Sequence, residues 1–403
     1  MPGTAAYPRV RTTPPGWEPS KAQRYVTVAS PQDPFVTERG EVIDSVHLAY
    51  ETWGCLNAAR DNAVLVFHAL TGDAHAASHP DLPGDRAGWW EPLIGSGCPI
   101  DTDHYFVICA NALGSCYGST GPRSLARDGR RYNLRFPQLT VRDLVAAQLR
   151  LLDHLGIARV ACAIGGSVGG MQALEMAVIA PERVERAVVV AASGRFHAQG
   201  IAYNELQRRA IMLDPCWAGG EYADDCNPRG GVALARMVGM ITFQSDESMT
   251  MRFGRSTDAR YHAWPEFHGR YDVEGYLHYQ GDKLAQRFDA NSYLYLSRVM
   301  DSHDIGRDRG GVLAAAALVR ARTLLIGIRS DILFPPSHVS ATADAIAACG
   351  GAARYWELNS PHGHDAFLKE FERLDAILRD GVGVPPGAAI CAPPVASTAA
   401  AAF

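Results

Sequence analysis

Apolar residues gather in short, nearly unbroken runs along the middle of the chain: Asn62–His68 (NAVLVFH), Tyr105–Ala110 (YFVICA), Val160–Ile164 (VACAI), Ala187–Ala192 (AVVVAA) and Thr323–Ile328 (TLLIGI). Short runs without polar alternation are those of parallel strands covered on both faces. Ala353–Leu358 (ARYWEL) is a weaker run, and Val46, Leu48 and Tyr50 alternate with other residues, which predicts a half-buried strand. Segments of helical period separate these runs. Val141, Leu144, Val145, Gln148, Leu151, Leu152 and Leu155 share one face, with a Thr140-x-x-Asp143 start and Gly156 as a stop. Further helices are expected over Gly169–Ile179 and Asp365–Leu378. Strands alternating with amphipathic helices predict an α/β fold, a mainly parallel sheet flanked by helices.

One interval breaks the alternation. Residues 196–304 contain no β-type run but carry helical patches, Ile201–Leu213 and Val232–Thr242 among them. They predict a helical cap (lid) inserted over the C-terminal edge of the sheet, with a second independent domain as the alternative. The core is then discontinuous, 30–195 and 305–380. Residues 1–25 and 382–403 lack periodic pattern, the latter Pro/Ala-rich, and are expected to be flexible termini.

Composition narrows the function. Hydrophobic residues make up 47% and charged residues 20%, which excludes a disordered or fibrous chain for the bulk of the sequence. Lys+Arg 38 against Asp+Glu 43 leaves no basic excess for a phosphate backbone, so no nucleic-acid partner is expected. No apolar run approaches the ~18 residues of a membrane span. The opening MPGTAAYPRVRTTPPGW has no apolar stretch after its charges, so no secretory signal is expected. Nine cysteines, an odd number without any CxxC pair, suggest mostly buried thiols in a reducing cytoplasm and no metal site.

The sharpest chemical signal is Gly165-Gly166-Ser167-Val168-Gly169-Gly170, a G-x-S-x-G pattern between a predicted strand and a predicted helix. That context is a nucleophile elbow, with Ser167 in a strained turn and negative charge stabilised by the helix N-terminus. A phosphate-binding loop is the competing reading. The dinucleotide fingerprint has Gly where Ser167 stands, and the Gly-Lys-Ser/Thr of a P-loop is missing. A serine nucleophile needs a base and an orienting acid, here in the order Ser, acid, His. Asp331 after the strand Thr323–Ile328 and His364 before the last helix fit; Asp331 as a helix cap and His362 as the base are the alternatives. Oxyanion donors are expected from the Val168 N–H and from the loop His68–Asp73, Leu70 before Ala69, with His68 itself structural.

These residues sit in longer stretches that carry a resemblance: AYETWG (49–54), FHALTGDAHA (67–76), NALGSCYGSTGP (111–122), GGSVGGMQALEMA (165–177), ARMVGMITF (235–243), RFDANSYLYLSR (287–298), SDILFPP (330–336) and GHDAFL (363–368). From about residue 30 to 378 the chain resembles the homoserine O-acetyltransferases of the α/β-hydrolase superfamily. The resemblance implies the α/β-hydrolase fold, acylation of Ser167 by acetyl-CoA as co-substrate with no bound cofactor, and a Ser167, His364 and Asp331 triad. It also implies that Arg236 holds the carboxylate of L-homoserine, that Asp365 holds its amino group, and that the chain is a homodimer. A solvated helix position for Arg236 and a helix-terminal charge for Asp365 are the plainer readings. Val168, Phe243 and Ser115 depart from the family pattern of Met, Tyr and Gly and are expected near the pocket. A succinyl donor, a serine acceptor, ester or amide hydrolysis, and a non-catalytic binding module stay open beside acetyl transfer in methionine biosynthesis.

Overall fold

The computed structural model describes residues 13–14, 16–223, 226–257 and 270–383. Eight strands form one sheet: β1 (Arg24–Ala29), β2 (Val46–Trp53), β3 (Ala63–Phe67), β4 (Phe106–Ala110), β5 (Val160–Gly166), β6 (Val184–Val190), β7 (Arg322–Ile328) and β8 (Ala353–Leu358). Their spatial order is β1-β2-β4-β3-β5-β6-β7-β8. Only β2 runs antiparallel to its neighbours; every pair from β4 to β8 is parallel. All five residues of β3 are buried, as its unbroken apolar run requires. β2 departs from its half-buried expectation, because β1 and β4 flank it and packed layers cover both its faces.

Successive side chains of a strand point to opposite faces, so each strand feeds two cores. Leu65, Ala163, Val189 and Leu325 meet α1 (Val141–His154), α2 (Val168–Ile179) and, late in the chain, the helix Pro336–Ala348. Val64, Cys162, Val188 and Leu324 meet Leu374 and Leu378 of the last helix. Thr140 caps α1 as its pattern predicts: its hydroxyl accepts the Asp143 N–H, and the Asp143 carboxylate accepts the Thr140 N–H at 2.8 Å.

Between β6 and β7 the chain leaves the sheet for α3 (Ala198–Met212), α4 (Arg229–Phe243), α5 (Asp246–Phe253), α6 (Asp272–Ala285) and α7 (Ala290–Asp301). Exit and return are stitched together. The Phe196 N–H donates to the His303 carbonyl (3.0 Å), the Ile305 N–H to the Gly194 carbonyl (2.9 Å), and Arg195 pairs with Asp304. His303 is buried at this neck with Nε2 bonded to the Ser193 carbonyl at 2.9 Å. α4 packs against both α3 and α6, and Arg208 bonds Asp301 at 2.7 Å to join α3 to α7. After α8 (Val312–Ala316) and β7 come α9 (Pro336–Ala348), β8 and α10 (Phe371–Val382). The last helix thus starts at Phe371, not Asp365, and a 3-10 turn over Gly363–Leu368 precedes it.

Two further expectations change. Residues 16–25 are packed, not loose. Trp17 is buried, stacks on Tyr117 with ring centroids 4.7 Å apart and donates its indole N–H to Asp73 at 3.1 Å. A single aromatic anchor leaves no periodic signature, which is why composition alone misjudged this stretch. The expected loose residues 1–12 and 384–403 lie outside the described residues. Of the eight described cysteines, all reduced, only Cys109, Cys116 and Cys162 are buried. Among the described residues no helix is long and apolar enough to cross a membrane.

Truncating Trp17 to Ala removes a buried ring and an indole hydrogen bond and is expected to cost about 3 kcal/mol in urea unfolding; a loss below about 0.5 kcal/mol would contradict the anchor. Burial holds the His303 ring down from 6.5 to about 4. Below pH 6.5 the unfolded chain therefore binds a proton that the folded chain refuses. Stability should fall as pH drops from 6.5 toward 4, and His303→Gln should flatten that part of the urea-midpoint profile.

Candidate active site

A single residue separates β5 from α2. Ser167 makes the turn with φ +59° and ψ −127°, a region that L-residues avoid. The surrounding contacts hold it there. Its N–H donates to the Val190 carbonyl of β6 at 2.9 Å, and its carbonyl accepts the Met171 N–H of α2 at 3.0 Å. The glycines of the motif serve close approach: a Cβ on Gly169 would stand 2.2 Å from the Phe67 carbonyl oxygen at the end of β3. Helix α2 can pack this tightly against the sheet only without that atom. Ser167 is thereby set on the wall of a cavity of about 470 Å³.

His364 lines the same cavity. Its Nδ1 bonds Asp331 Oδ2 at 2.7 Å, and its ring stacks on Phe334 with centroids 5.2 Å apart. Asp331 lies just past β7, and its second oxygen accepts the Leu333 and Phe334 N–H groups at 2.8 Å each. The carboxylate therefore both caps its own turn and orients the ring. With the Nδ1 proton directed at Asp331, Nε2 is the basic nitrogen. That nitrogen is buried with no hydrogen-bond partner in the protein, the Ser167 hydroxyl included. His362, the competing candidate, contacts the Ser248 hydroxyl at 3.2 Å, whereas His364 is the histidine bonded to Asp331.

The turn after β3 brings Ala69, Leu70, Thr71 and Gly72 to the cavity. The Val168 N–H opens α2, where the helix has no carbonyl to offer it. Of the two residues named from the sequence, Val168 directly follows the serine and Leu70 shares its cavity. His68 is buried and is not among the cavity-lining residues.

Arg236 and Asp365 come together there although 129 positions of sequence order, 236 to 365, separate them. Arg236 lies over the Phe243 ring at 5.5 Å, and Phe243 in turn stands 6.0 Å from the His364 ring. Burial lowers the Arg236 pKa while the Asp365 charge pushes it back up; a guanidinium remains charged under such opposition. Asp365 Oδ2 accepts the Gln244 side-chain N–H at 2.6 Å. Gln244 was not singled out in the sequence, where only its place beside Phe243 hinted at the site. Asp365 sits in the 3-10 turn with His364, so its plainer helix-terminal role has no long helix to serve. Of the three departures from the family pattern, only Phe243 lines the cavity. The Val168 and Ser115 side chains are buried in the core, away from it.

The absence of metal-type spacing does not carry over into space. Glu51 of β2 meets His75 and His79 from the loop after β3, their ligating atoms all within 4.8 Å of one another. Glu51 Oε2 lies 2.9 Å from His75 Nδ1 and 2.8 Å from His79 Nε2. His75 Nε2 also faces an acceptor, the Arg86 carbonyl at 2.7 Å. Burial alone would lower the His75 pKa; the Glu51 carboxylate and that carbonyl outweigh it and raise it. An imidazolium donating from both nitrogens satisfies this arrangement as an ion pair under the cavity wall.

The family model of the alpha/beta hydrolase fold matches residues 62–371. The homoserine O-acetyltransferase of Symbiobacterium thermophilum is 51% identical over 361 residues, covering 89% of this chain and 94% of that one. That of Moorella thermoacetica is 49% identical over 85% of this chain and 91% of its own. Among solved structures, the homoserine O-acetyltransferase from Bacillus anthracis superposes with a TM-score of 0.83 at 27% identity, covering 91% of this chain and 98% of that one. Esterase E22 superposes with a TM-score of 0.82 at 28% identity, covering 89% of this chain and all of its own.

The Cβ of Gly169→Ala would overlap the Phe67 carbonyl and force α2 off the sheet. This substitution is expected to cost about 3 kcal/mol or more, read as the urea midpoint at constant m-value. An unchanged midpoint would show that the elbow does not depend on that contact.

Proposed function

The chain belongs to the homoserine O-acetyltransferase family, acyltransferases of the α/β-hydrolase fold, and from that premise we propose that it transfers acetyl from acetyl-CoA to the side-chain hydroxyl of L-homoserine. The observation that supports this most is the meeting in one cavity of a nucleophile, a base and an amino-acid clamp. A guanidinium matches a carboxylate and a carboxylate matches an ammonium. Arg236 and Asp365 would thus hold the two ends of an amino acid with its side chain toward Ser167. An enzyme that acts on simple esters has no use for both.

In the first half-reaction His364 Nε2 takes the Ser167 proton as Oγ attacks the thioester carbonyl. The oxyanion rests on the Leu70 and Val168 N–H groups. The C–S bond then breaks, CoA takes the proton from His364, and acetyl-Ser167 remains. In the second, His364 deprotonates the homoserine hydroxyl, which attacks the acetyl carbonyl and frees Oγ, and the proton returns to Ser167. This is two-step, ping-pong chemistry with no bound cofactor. The product is an activated alcohol of the kind consumed in methionine biosynthesis, and a cytoplasmic site follows from those substrates. The helices inserted between β6 and β7 would exclude water as the competing acceptor. They also expose Leu206, Leu234, Ile241 and Met251, apolar surface suited to a homodimer.

The likeness to esterase E22 favours one second reading, hydrolysis of the acyl-enzyme by water. Thiol release from acetyl-CoA and from succinyl-CoA, each with L-homoserine, with L-serine and with no acceptor, separates the readings. Fast release only with acetyl-CoA plus L-homoserine is expected; equal release without acceptor would replace transfer by hydrolysis. Asp331→Asn should lower kcat about 10³- to 10⁴-fold with the fold intact, since the amide misorients the ring; a loss below about tenfold would remove Asp331 from the mechanism. Light scattering should give twice the 43.5 kDa chain mass, and the monomer mass at micromolar concentration would contradict the dimer.

A further inference from the structure

The turn after β3 holds two peptide planes whose hydrogen bonds run in series. The Ala69 carbonyl accepts the Gly72 N–H at 2.9 Å and lies 2.7 Å from His68 Nδ1. The Thr71 carbonyl, on the peptide that carries the Gly72 N–H, accepts from Arg287 Nη1 at 3.1 Å. A trans peptide is planar, with its N–H pointing opposite to its C=O. Gripping the Ala69 oxygen therefore sets the direction of the Leu70 N–H. Gripping the Thr71 oxygen sets the Gly72 N–H that helps to grip Ala69.

Both grips are themselves held. His68 Nε2 accepts the Ala112 N–H at 2.9 Å, which places the ring proton on Nδ1 and makes it the donor to Ala69. The ring is 2% exposed, and burial lowers its pKa, so this neutral tautomer persists. Arg287 follows α6. Its Nη1 also donates to the Tyr117 hydroxyl, and Tyr117 is fixed by stacking on Trp17. One grip comes from the sheet, from His68 just past β3 held by Ala112 just past β4, and the other from the inserted helices.

We propose that His68 and Arg287 are positioning residues that aim the Leu70 N–H at the oxyanion, Arg287 doing so from the helical insertion. The inference rests on the reading that Leu70 N–H is an oxyanion donor. It makes charge stabilisation at Ser167 depend on the insertion being seated on the loop. That is a second use for the insertion beside holding Arg236.

The test is the first-order acylation of Ser167 by p-nitrophenyl acetate, followed as the nitrophenol burst over a range of ester concentrations. Variants are Arg287→Met, His68→Leu, His68→Asn and Ser167→Ala. Arg287→Met and His68→Leu should slow acylation by about tenfold to 10³-fold, the scale of a lost oxyanion donor, with ester affinity little changed. His68→Asn, whose side-chain N–H can reach the same carbonyl, should recover about tenfold over His68→Leu. Should the buried His68→Leu fail to fold, Arg287→Met alone decides. Acylation by Arg287→Met at the parent rate, or a loss carried only by ester affinity, would overturn the proposal while Ser167→Ala still abolishes the burst. A burst that survives in Ser167→Ala would instead overturn the serine mechanism on which it rests.

Discussion

The backbone at Ser167 turns through a positive φ, and the rest of the site is arranged around the contacts that hold it there. Such a conformation costs on the order of 1–3 kcal/mol and persists only where its surroundings over-determine it. Here they do. The parallel pairing of β5 with β6 ends at Gly166 and Val190, and the Ser167 N–H continues that ladder by one bond. Helix α2 begins at the next residue, buried along nearly its whole length, and Gly169 lets it touch the end of β3. A strand, a helix and a neighbouring strand thus meet within two residues of the hydroxyl. The same packing brings the turn after β3 alongside the serine, which is why an oxyanion-donating loop and a nucleophile come from one structural device.

The second constraint is electrostatic. The cavity sets two opposite charges, Arg236 and Asp365, beside His364. Each comes from a different part of the chain: α4 for the guanidinium, the turn bearing His364 for the carboxylate. Gln244 and Phe243, at the end of α4, bind the two parts together, one by a hydrogen bond to Asp365 and the other by its ring between Arg236 and His364. Gly363 allows this closeness, for a Cβ there would lie 2.7 Å from the Ser245 nitrogen. The inserted helices are therefore part of the site and not a cover laid over it.

Much of this was legible in the sequence, for physical reasons that also mark where legibility ends. Strands β3 to β7 are buried on both faces, so each leaves an unbroken apolar run that no other element of that length produces. The elbow announces itself because tight approach demands glycine at fixed offsets from Ser167. The order serine, acid, histidine follows from the sheet once the strands are placed. By contrast, Trp17 anchors an unpatterned stretch through one ring. The turn holding His364 and Asp365 reads as the start of the last helix because their neighbours are apolar at helical spacing. Glu51, His75 and His79 come from a strand and a loop, so their meeting has no spacing to betray it. The grips of His68 and Arg287 on the Ala69 and Thr71 carbonyls are invisible for the same reason. They depend on where backbone oxygens point, which side-chain identities do not record.

The central claim is that Ser167 carries the acyl group between donor and acceptor. Mixing the protein with acetyl-CoA in the absence of an acceptor, quenching in acid and mapping the digest by mass spectrometry tests it most directly. One acetyl group on the peptide containing Ser167, lost again within the turnover time when L-homoserine is added before the quench, is the predicted result. Product formation from acetyl-CoA and L-homoserine with no acetyl on that peptide at any time, or with acetyl on another residue that discharges at the rate of turnover, would contradict it.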